Sequence, residues 1–346
     1  MMQTAIDVAI YCTIICLILL WLTNKKPIAI SYSQLVLVLV TKLLVGCAYG
    51  YLFFKVYKGD DTWLYHKLAL EEYAFLKKNP LGFVADIFHN GYTDKQTFSF
   101  FKTENSFWKD LQYNILIKLL AVFNLFSRGN YYVNVLFFNL ITFWGHYYIF
   151  KLVLKYFPQY KTILFWLIFF FPPLLFWQSG IRKDGLTFAA IGGCLYYFDA
   201  FVSIKKPSYF FKMFLFFLLI FLIRSFVALA VLPAFAAFAI IYCSKMERSY
   251  RLILVNIGCI ALAATCFFLT NLGPEQFRLP QKMAERQAQF LSLEGGSYMP
   301  LQSLNGSITS YFITFPTAIN HALLRPYITE GKSPLLLFAA LETLFV

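Results

Sequence analysis

Charge is the scarcest thing in this chain. Only 14% of its 346 residues are charged, against 60% hydrophobic and 20% aromatic. A soluble domain carries about a quarter charged residues, so an ordinary soluble fold is excluded. Cysteine offers no chemistry of its own. All seven (Cys12, Cys16, Cys47, Cys194, Cys243, Cys259, Cys266) fall inside apolar runs, and none stands at zinc-ligand spacing from a histidine. That excludes a disulfide framework and a Cys/His metal cluster, and it leaves the redox compartment unread. There is no glycine-rich loop for the phosphates of a soluble nucleotide, and no internal repeat of the kind many transporters show. The first apolar segment has neither a basic leader nor a small-residue cleavage site, so it is read as a retained anchor.

What is present is a succession of apolar segments. Ala5–Leu22, Gln34–Phe54, Tyr131–Phe150, Thr162–Trp177, Leu186–Val202, Tyr209–Ile223, Phe226–Cys243 and Leu252–Leu272 predict eight spans. Several are shorter than the ~20 residues a perpendicular crossing needs, and their ends draw on interfacial aromatic residues. The expected fold is all-α: a polytopic transmembrane helical bundle of about eight or more spans, with interfacial helices in its first large outer loop. Four regions follow: two spans over 1–54, an outer loop over 55–130, a six-span bundle over 131–272 and an outer segment over 273–346. In that last region Glu275, Arg278, Lys282, Glu285 and Arg286 mark a surface helix, and Glu294-Gly295-Gly296 marks a turn able to serve as a lid. The final apolar stretch from Pro334 to Val346 is too short to cross, so it is an interfacial helix or an incomplete span.

The basic residues set the orientation. With Lys25 and Lys26 in the cytoplasm, Lys151, Lys155, Lys161, Lys205, Lys206, Lys212, Lys245, Arg248 and Arg251 fall on the same side. Short loops on the other side hold only Arg182, Lys183 and Arg224. This is the positive-inside bias. It accounts for the net charge of +13 through topology, and nucleic acid is excluded as a partner. Membrane lipids are the expected surroundings, with the polar face turned away from the cytoplasm.

The longest polar interval opens with Gly59-Asp60-Asp61-Thr62-Trp63-Leu64-Tyr65-His66. Two adjacent carboxylates just past a span are costly to keep near hydrocarbon unless they act. The plainer alternative is a solvated loop in which Asp61 caps a surface helix. Beyond it, Leu64, Leu68, Tyr73, Phe75 and Leu76 alternate with charged residues until Asn79-Pro80, and Leu111–Phe126 is apolar around Lys118. Both stretches predict helices lying in the interface plane, or else packed on the bundle as amphipathic cover.

A second constellation runs from Phe171 to Gly185 (FPPLLFWQSGIRKDG). Its prolines break or kink the fourth span. Arg182 and Lys183 then enter the next helix at its N-terminus, where free N–H groups and cations suit a phosphate. Headgroup anchoring by snorkelling cations is the alternative, but it asks for neither Asp184 nor the prolines. Arg224 and Arg325 are further cations for the same outer site.

With these features the chain resembles the membrane-embedded glycosyltransferases of the C-type fold. Gly59-Asp60-Asp61 opens the first large outer loop just past a span, and interface helices follow. The runs Phe176–Gly185 and Leu323–Tyr327 also resemble stretches of bacterial polytopic envelope proteins. The chain departs from the family in having one extra leading span and no soluble outer domain. The resemblance implies a polyprenyl-phosphate-linked sugar donor and a glycan, lipid or protein acceptor. Asp60 and Asp61 would be the catalytic base and its helper, and the pair is also a place for a divalent cation.

The chemistry is coherent with that implication. A carboxylate takes the acceptor proton as the anomeric carbon becomes electron-poor. Arg182, Lys183, Arg224 and Arg325 stabilise the departing phosphate. The rings of Trp63, Tyr65 and Tyr73, with His66 beside them, can cover sugar faces. Two other classes compete. In a surface-polysaccharide polymerase or ligase the arginines would act and the aspartates would be dispensable. A lipid or solute transporter, or a non-enzymatic envelope-complex subunit, would want mid-span ionisable residues. Lys42, His146 and Asp199 are the few present, and their spacing forms no relay.

Overall fold

The computed structural model describes residues 2–25, 28–57, 61–88, 107–244, 249–292, 301–330, 337, 339–341 and 343. Among these there is no strand; the fold is all-α. It divides into two compact units, one of Met1–His89 with Asp110–Leu232, the other of Asn90–Lys109 with Pro233–Val346.

The first unit starts with α1 (Met2–Lys25) and α2 (Tyr32–Lys55). The start of α2 is set by a capping box in which Ser31 accepts from Gln34 N and the Gln34 side chain accepts from Ser31 N. Two of its otherwise orphaned donors are thereby satisfied. Next comes α3 (Asp61–Lys78), ended by Asn79-Pro80, with Asn79 capping the short α4 (Pro80–Ala85). Then follow α5 (Phe107–Ser127), which belongs to this unit from Asp110 onward, and α6 (Tyr131–Tyr156). The predicted helices of the polar interval are therefore present, and the asparagine–proline stop falls where the alternation ends.

The expected fourth span is broken. Lys161–Phe170 forms α7 and Pro172–Ser179 forms α8, bent by 44°. Pro172 supplies no N–H and forces Phe171 into an extended conformation (ψ 117°), so the helix restarts instead of continuing. The unit ends with α9 (Lys183–Ile204), α10 (Pro207–Ile223) and the beginning of α11 (Ser225–Cys243).

Among the described residues, four helices are long and apolar enough to cross a membrane: Tyr32–Lys55, Lys183–Ile204, Ser225–Cys243 and Tyr250–Leu272. The bent pair makes up to five, and Ile6–Trp21 and Pro207–Ile223 are apolar but shorter. Several long apolar helices fit an integral membrane protein. α6 is long enough at 26 residues, yet it buries Asn134, Asn139, Thr142 and His146, which makes its inner face polar.

In the first unit α6 and α9 form the centre, with α10 on the far side of α9 and α2 against α6 and α8. One buried cluster joins Leu43, Tyr65, Leu120, Phe138, Ile181 and Ile223. Another, of Val38, Phe143, Phe150, Phe165 and Phe169, fills the other end. There, Asp199 is held by Lys155 at 2.7 Å and by the Tyr156 hydroxyl. The α3–α4 segment is tied to α5 by Lys118, whose ammonium donates to Glu72 (2.8 Å), Asp86 (2.9 Å) and the Phe83 carbonyl (3.2 Å).

The second unit takes α11 onward from Pro233, then α12 (Ser249–Leu269), α13 (Leu279–Leu291) and α14 (Ile308–Leu323). α12 turns Ile253, Leu254, Ile257 and Ile260 outward, as a lipid-facing helix does. The expected surface helix is α13. It is fixed to α14 by the Tyr311 hydroxyl donating to the Pro280 carbonyl at 2.8 Å. The predicted lid turn at Glu294–Gly296 lies outside the described residues.

Candidate functional site

The site grows from one end of the first unit, where α8 stops at Ser179 and three residues lead into α9. Gly180 lies against the ring of Tyr49 from α2; a Cβ there would stand 2.6–2.8 Å from that ring. Only glycine permits so close an approach. Tyr49 is fully buried, and its hydroxyl meets Arg182 Nη1 at 2.8 Å. The Arg182 guanidinium also sits 5.3 Å from the Trp177 ring centroid. Arg182 is the residue just before α9, and its fork is thus oriented by two aromatic side chains before any ligand arrives.

Two arginines converge on one carboxylate. Asp184, in the first turn of α9, takes Arg224 at 2.6 Å and Arg182 Nε at 3.4 Å. Arg224 is the residue that closes α10, so two chain segments forty positions apart bring their guanidinium groups together. The three side chains are each 22–37% exposed. They are reachable, yet removed enough from water for their charges to matter. The sequence placed Arg182 and Arg224 on one face, and the structure joins them through Asp184.

Lys183 points elsewhere. It is buried, with Nζ 3.1 Å from the Tyr113 ring centroid and 5.9 Å from that of Tyr65. Its cation is held by rings, while the arginines meet at the acid. Tyr65 links this group to the polar stretch. Burial first, then the Asp61 carboxylate and Tyr113, hold its phenol well above its usual range, with Arg224 and Arg182 pulling the other way. Asp61 itself is exposed in the first turn of α3. A carboxylate there complements the N-terminal end of the helix dipole. Asp60 lies outside the described residues, so the expected pair, and with it a place for a divalent cation, is represented by Asp61 alone. Among the described residues no three of His, Cys, Asp and Glu gather as metal ligands would.

Of the four side chains expected to contact sugar, Tyr73 lies two turns along α3 from Tyr65, with Lys77 Nζ 4.4 Å from its ring centroid, and the other three divide between two faces of α3. Tyr65 faces the cation group. Trp63 and His66 line a separate cleft of about 750 Å³ with Tyr131 and Tyr132. Trp63 stacks on Tyr131 at 4.2 Å, and His66 meets both rings edge-on at 5.8 and 5.4 Å. Arg325 belongs to the second unit. There it pairs with Glu330 at 2.8 Å and meets His321 Nε2 at 2.8 Å.

Some participants carried no signal in the sequence. Tyr49 is one tyrosine in an aromatic run, and Tyr113 sits in an apolar helix; only the fold brings them to Arg182 and Lys183. Lys42 and His146, which no spacing connected, are both fully buried with Lys42 Nζ and His146 Nε2 unpartnered. They lie within electrostatic reach of each other. No family model, no curated protein and no solved structure matches the chain.

Proposed function

We propose that the chain is a membrane-embedded glycosyltransferase. It moves a sugar from a polyprenyl-phosphate-linked donor to an acceptor on the extracytoplasmic face during assembly of an envelope glycan or glycoconjugate. The observation that carries this reading is the meeting of Arg182 and Arg224 on Asp184, beside the helix that begins at Asp61. Paired guanidinium forks match a phosphate as well as they match a carboxylate. An arriving donor phosphate would take the arginines over from Asp184. As the anomeric C–O bond to phosphate breaks, both forks neutralise the departing oxygen, and the acceptor oxygen forms the new bond. The acceptor proton passes to a carboxylate of the Asp60–Asp61 pair.

The arginine cluster also favours a second reading, a surface-polysaccharide polymerase or ligase in which the cations alone position a lipid diphosphate. Both readings share the phosphate site, so binding is tested first. Purified Arg182→Gln and Arg224→Gln should each bind a short-chain polyprenyl-phosphate sugar more than about tenfold more weakly than wild type, the loss of one charge-assisted contact. Unchanged affinity in both variants would show that the arginines only anchor their hairpins.

A further inference from the structure

The cleft on the other face of α3 is built differently from the arginine site. It has an aromatic wall of Trp63, Tyr131 and Tyr132. Its mouth carries Ile10 and Ile14 of α1 and Phe126 of α5, which are 51%, 45% and 58% exposed. Exposed apolar side chains on a membrane helix are where acyl chains lie. Its charged side chains are one acid, Asp7, and one base, Arg128; His66, Ser127, Asn130 and the tyrosine hydroxyls complete its polar lining. His66 is 8% exposed and its Nδ1 has no partner. Arg128 adopts a left-handed φ of 53° in the turn between α5 and α6. Few non-glycine residues hold that conformation, and here it belongs to the one basic side chain of the cleft.

We propose that this cleft binds a single zwitterionic membrane lipid with a primary ammonium and a phosphodiester in its headgroup, its acyl chains running along Ile10, Ile14 and Phe126. Each part of such a molecule has a complement in the cleft. The phosphodiester suits the Arg128 guanidinium. The ammonium suits the Asp7 carboxylate and the faces of aromatic rings, and the buried, unpartnered Nδ1 of His66 is a spare acceptor in the cleft wall. Burial lowers the His66 imidazole from its ordinary range to about 4. It is therefore neutral at physiological pH and able to accept an N–H. A primary ammonium donates three N–H groups, whereas a quaternary one donates none, so choline headgroups fit less well. A volume of about 750 Å³ is in the range that encloses one small ligand or headgroup. The site does not depend on the transferase reading, because none of its residues belongs to the arginine group.

The test uses the full chain in detergent, with bound lipid counted by native mass spectrometry. Phosphatidylethanolamine, phosphatidylcholine and phosphatidylglycerol of identical chains are offered separately. The expected result is one retained phosphatidylethanolamine per chain, held at least about tenfold more tightly than the other two lipids. Arg128→Gly suits the left-handed backbone and removes only the guanidinium; it should abolish the preference. Ile14→Trp, which fills the mouth from the lipid side, should reduce retention of all three lipids. Arg182→Gln should leave retention unchanged, which separates this site from the phosphate site of the transferase reading. Chain-free glycerophosphoethanolamine should fail to compete at the concentrations at which the lipid saturates. Equal retention of the three lipids, retention unaltered by Arg128→Gly, or competition by the chain-free headgroup as strong as by the lipid would each overturn the proposal.

Discussion

At the scale of single residues, the arginine site is a competition between two anions for the same donors. Asp184 already occupies Arg182 and Arg224, so a phosphate must displace or share that carboxylate. Removing the charge while keeping the shape, as in Asp184→Asn, should tighten binding of inorganic phosphate or a phosphate ester a few-fold. These groups are solvent-accessible and screened, which keeps the effect modest. Calorimetric titration of the two proteins checks it, and weaker binding in the variant would show that Asp184 positions the forks more than it competes for them. His66 makes a different prediction, about pH. Its folded value, lowered by burial to about 4, lies below the ordinary 6.5. The unfolded chain therefore takes up the proton first as pH falls, and stability is lost between about 6.5 and 4. The loss amounts to roughly 2–3 kcal/mol. His66→Gln should flatten this acid limb in thermal unfolding at pH 7 and pH 4.5; an equally steep limb in the variant would remove His66 as its cause. The roles of these residues were only partly legible in sequence. Arg182 and Asp184 could be singled out because cations and an acid beside prolines are unusual at a hairpin. Tyr49 and Tyr113 could not, because nothing local distinguishes a tyrosine that orients a guanidinium from one that fills a core.

At the scale of elements, α3 is the wall between the two sites. Asp61 and Tyr65 are one turn apart and serve the cation group, while Trp63 and His66 lie on the far side of the helix and serve the cleft. The helix itself was readable from its alternation and its Asn79-Pro80 stop. Its division into two working faces was not, since a short aromatic stretch does not show which neighbour each ring will meet. The position of α3 depends on Lys118. This buried ammonium joins Glu72 of α3, Asp86 beyond α4 and the Phe83 carbonyl, and lies 4.3 Å from the Phe83 ring centroid. Lys118→Met keeps the apolar stem but leaves two carboxylates without their cation. The carboxylates are 27% and 40% exposed, so water recovers part of the loss, and a destabilisation of about 1–3 kcal/mol is expected. Protease cleavage within residues 79–88 should accelerate before global unfolding does; unchanged cleavage would show that apolar packing alone holds the segment. A tighter constraint lies at the α6–α9 crossing, where a Cβ on Gly192 would meet the Gly145 backbone within 3.0 Å. Close crossings through small residues are how membrane helices gain dispersion contacts. Gly192→Leu should abolish folded yield in detergent, whereas yield like that of wild type would mean that the helices separate without penalty.

At the scale of the whole molecule, the distribution of charge and of apolar length was legible because it is set by the solvent a helix must face. The span count was harder to read. α6 has the length to cross but carries buried asparagines and a histidine, and Phe171-Pro172 splits another segment into α7 and α8. Sequence windows register neither the neighbour that satisfies a polar face nor the bend that shortens a crossing. Orientation rests on the lysines and is tested directly. In a cysteine-free background, single cysteines in the turns at 25–27 and 205–207 should resist an impermeant thiol reagent in intact cells, and one at position 103 should react. The reverse pattern would put the arginine site on the cytoplasmic side. Sugar transfer from a lipid phosphate is tested by measuring glycan product from a polyprenyl-phosphate sugar donor with Asp60→Asn and Asp61→Asn side by side at matched membrane abundance. Asp60→Asn keeps size and hydrogen bonding but cannot take a proton. Asp60→Asn should abolish transfer while the protein remains folded and donor still binds, and Asp61→Asn should lose less. Full activity in Asp60→Asn would rule out Asp60 as the base and move the chemistry to the arginines alone.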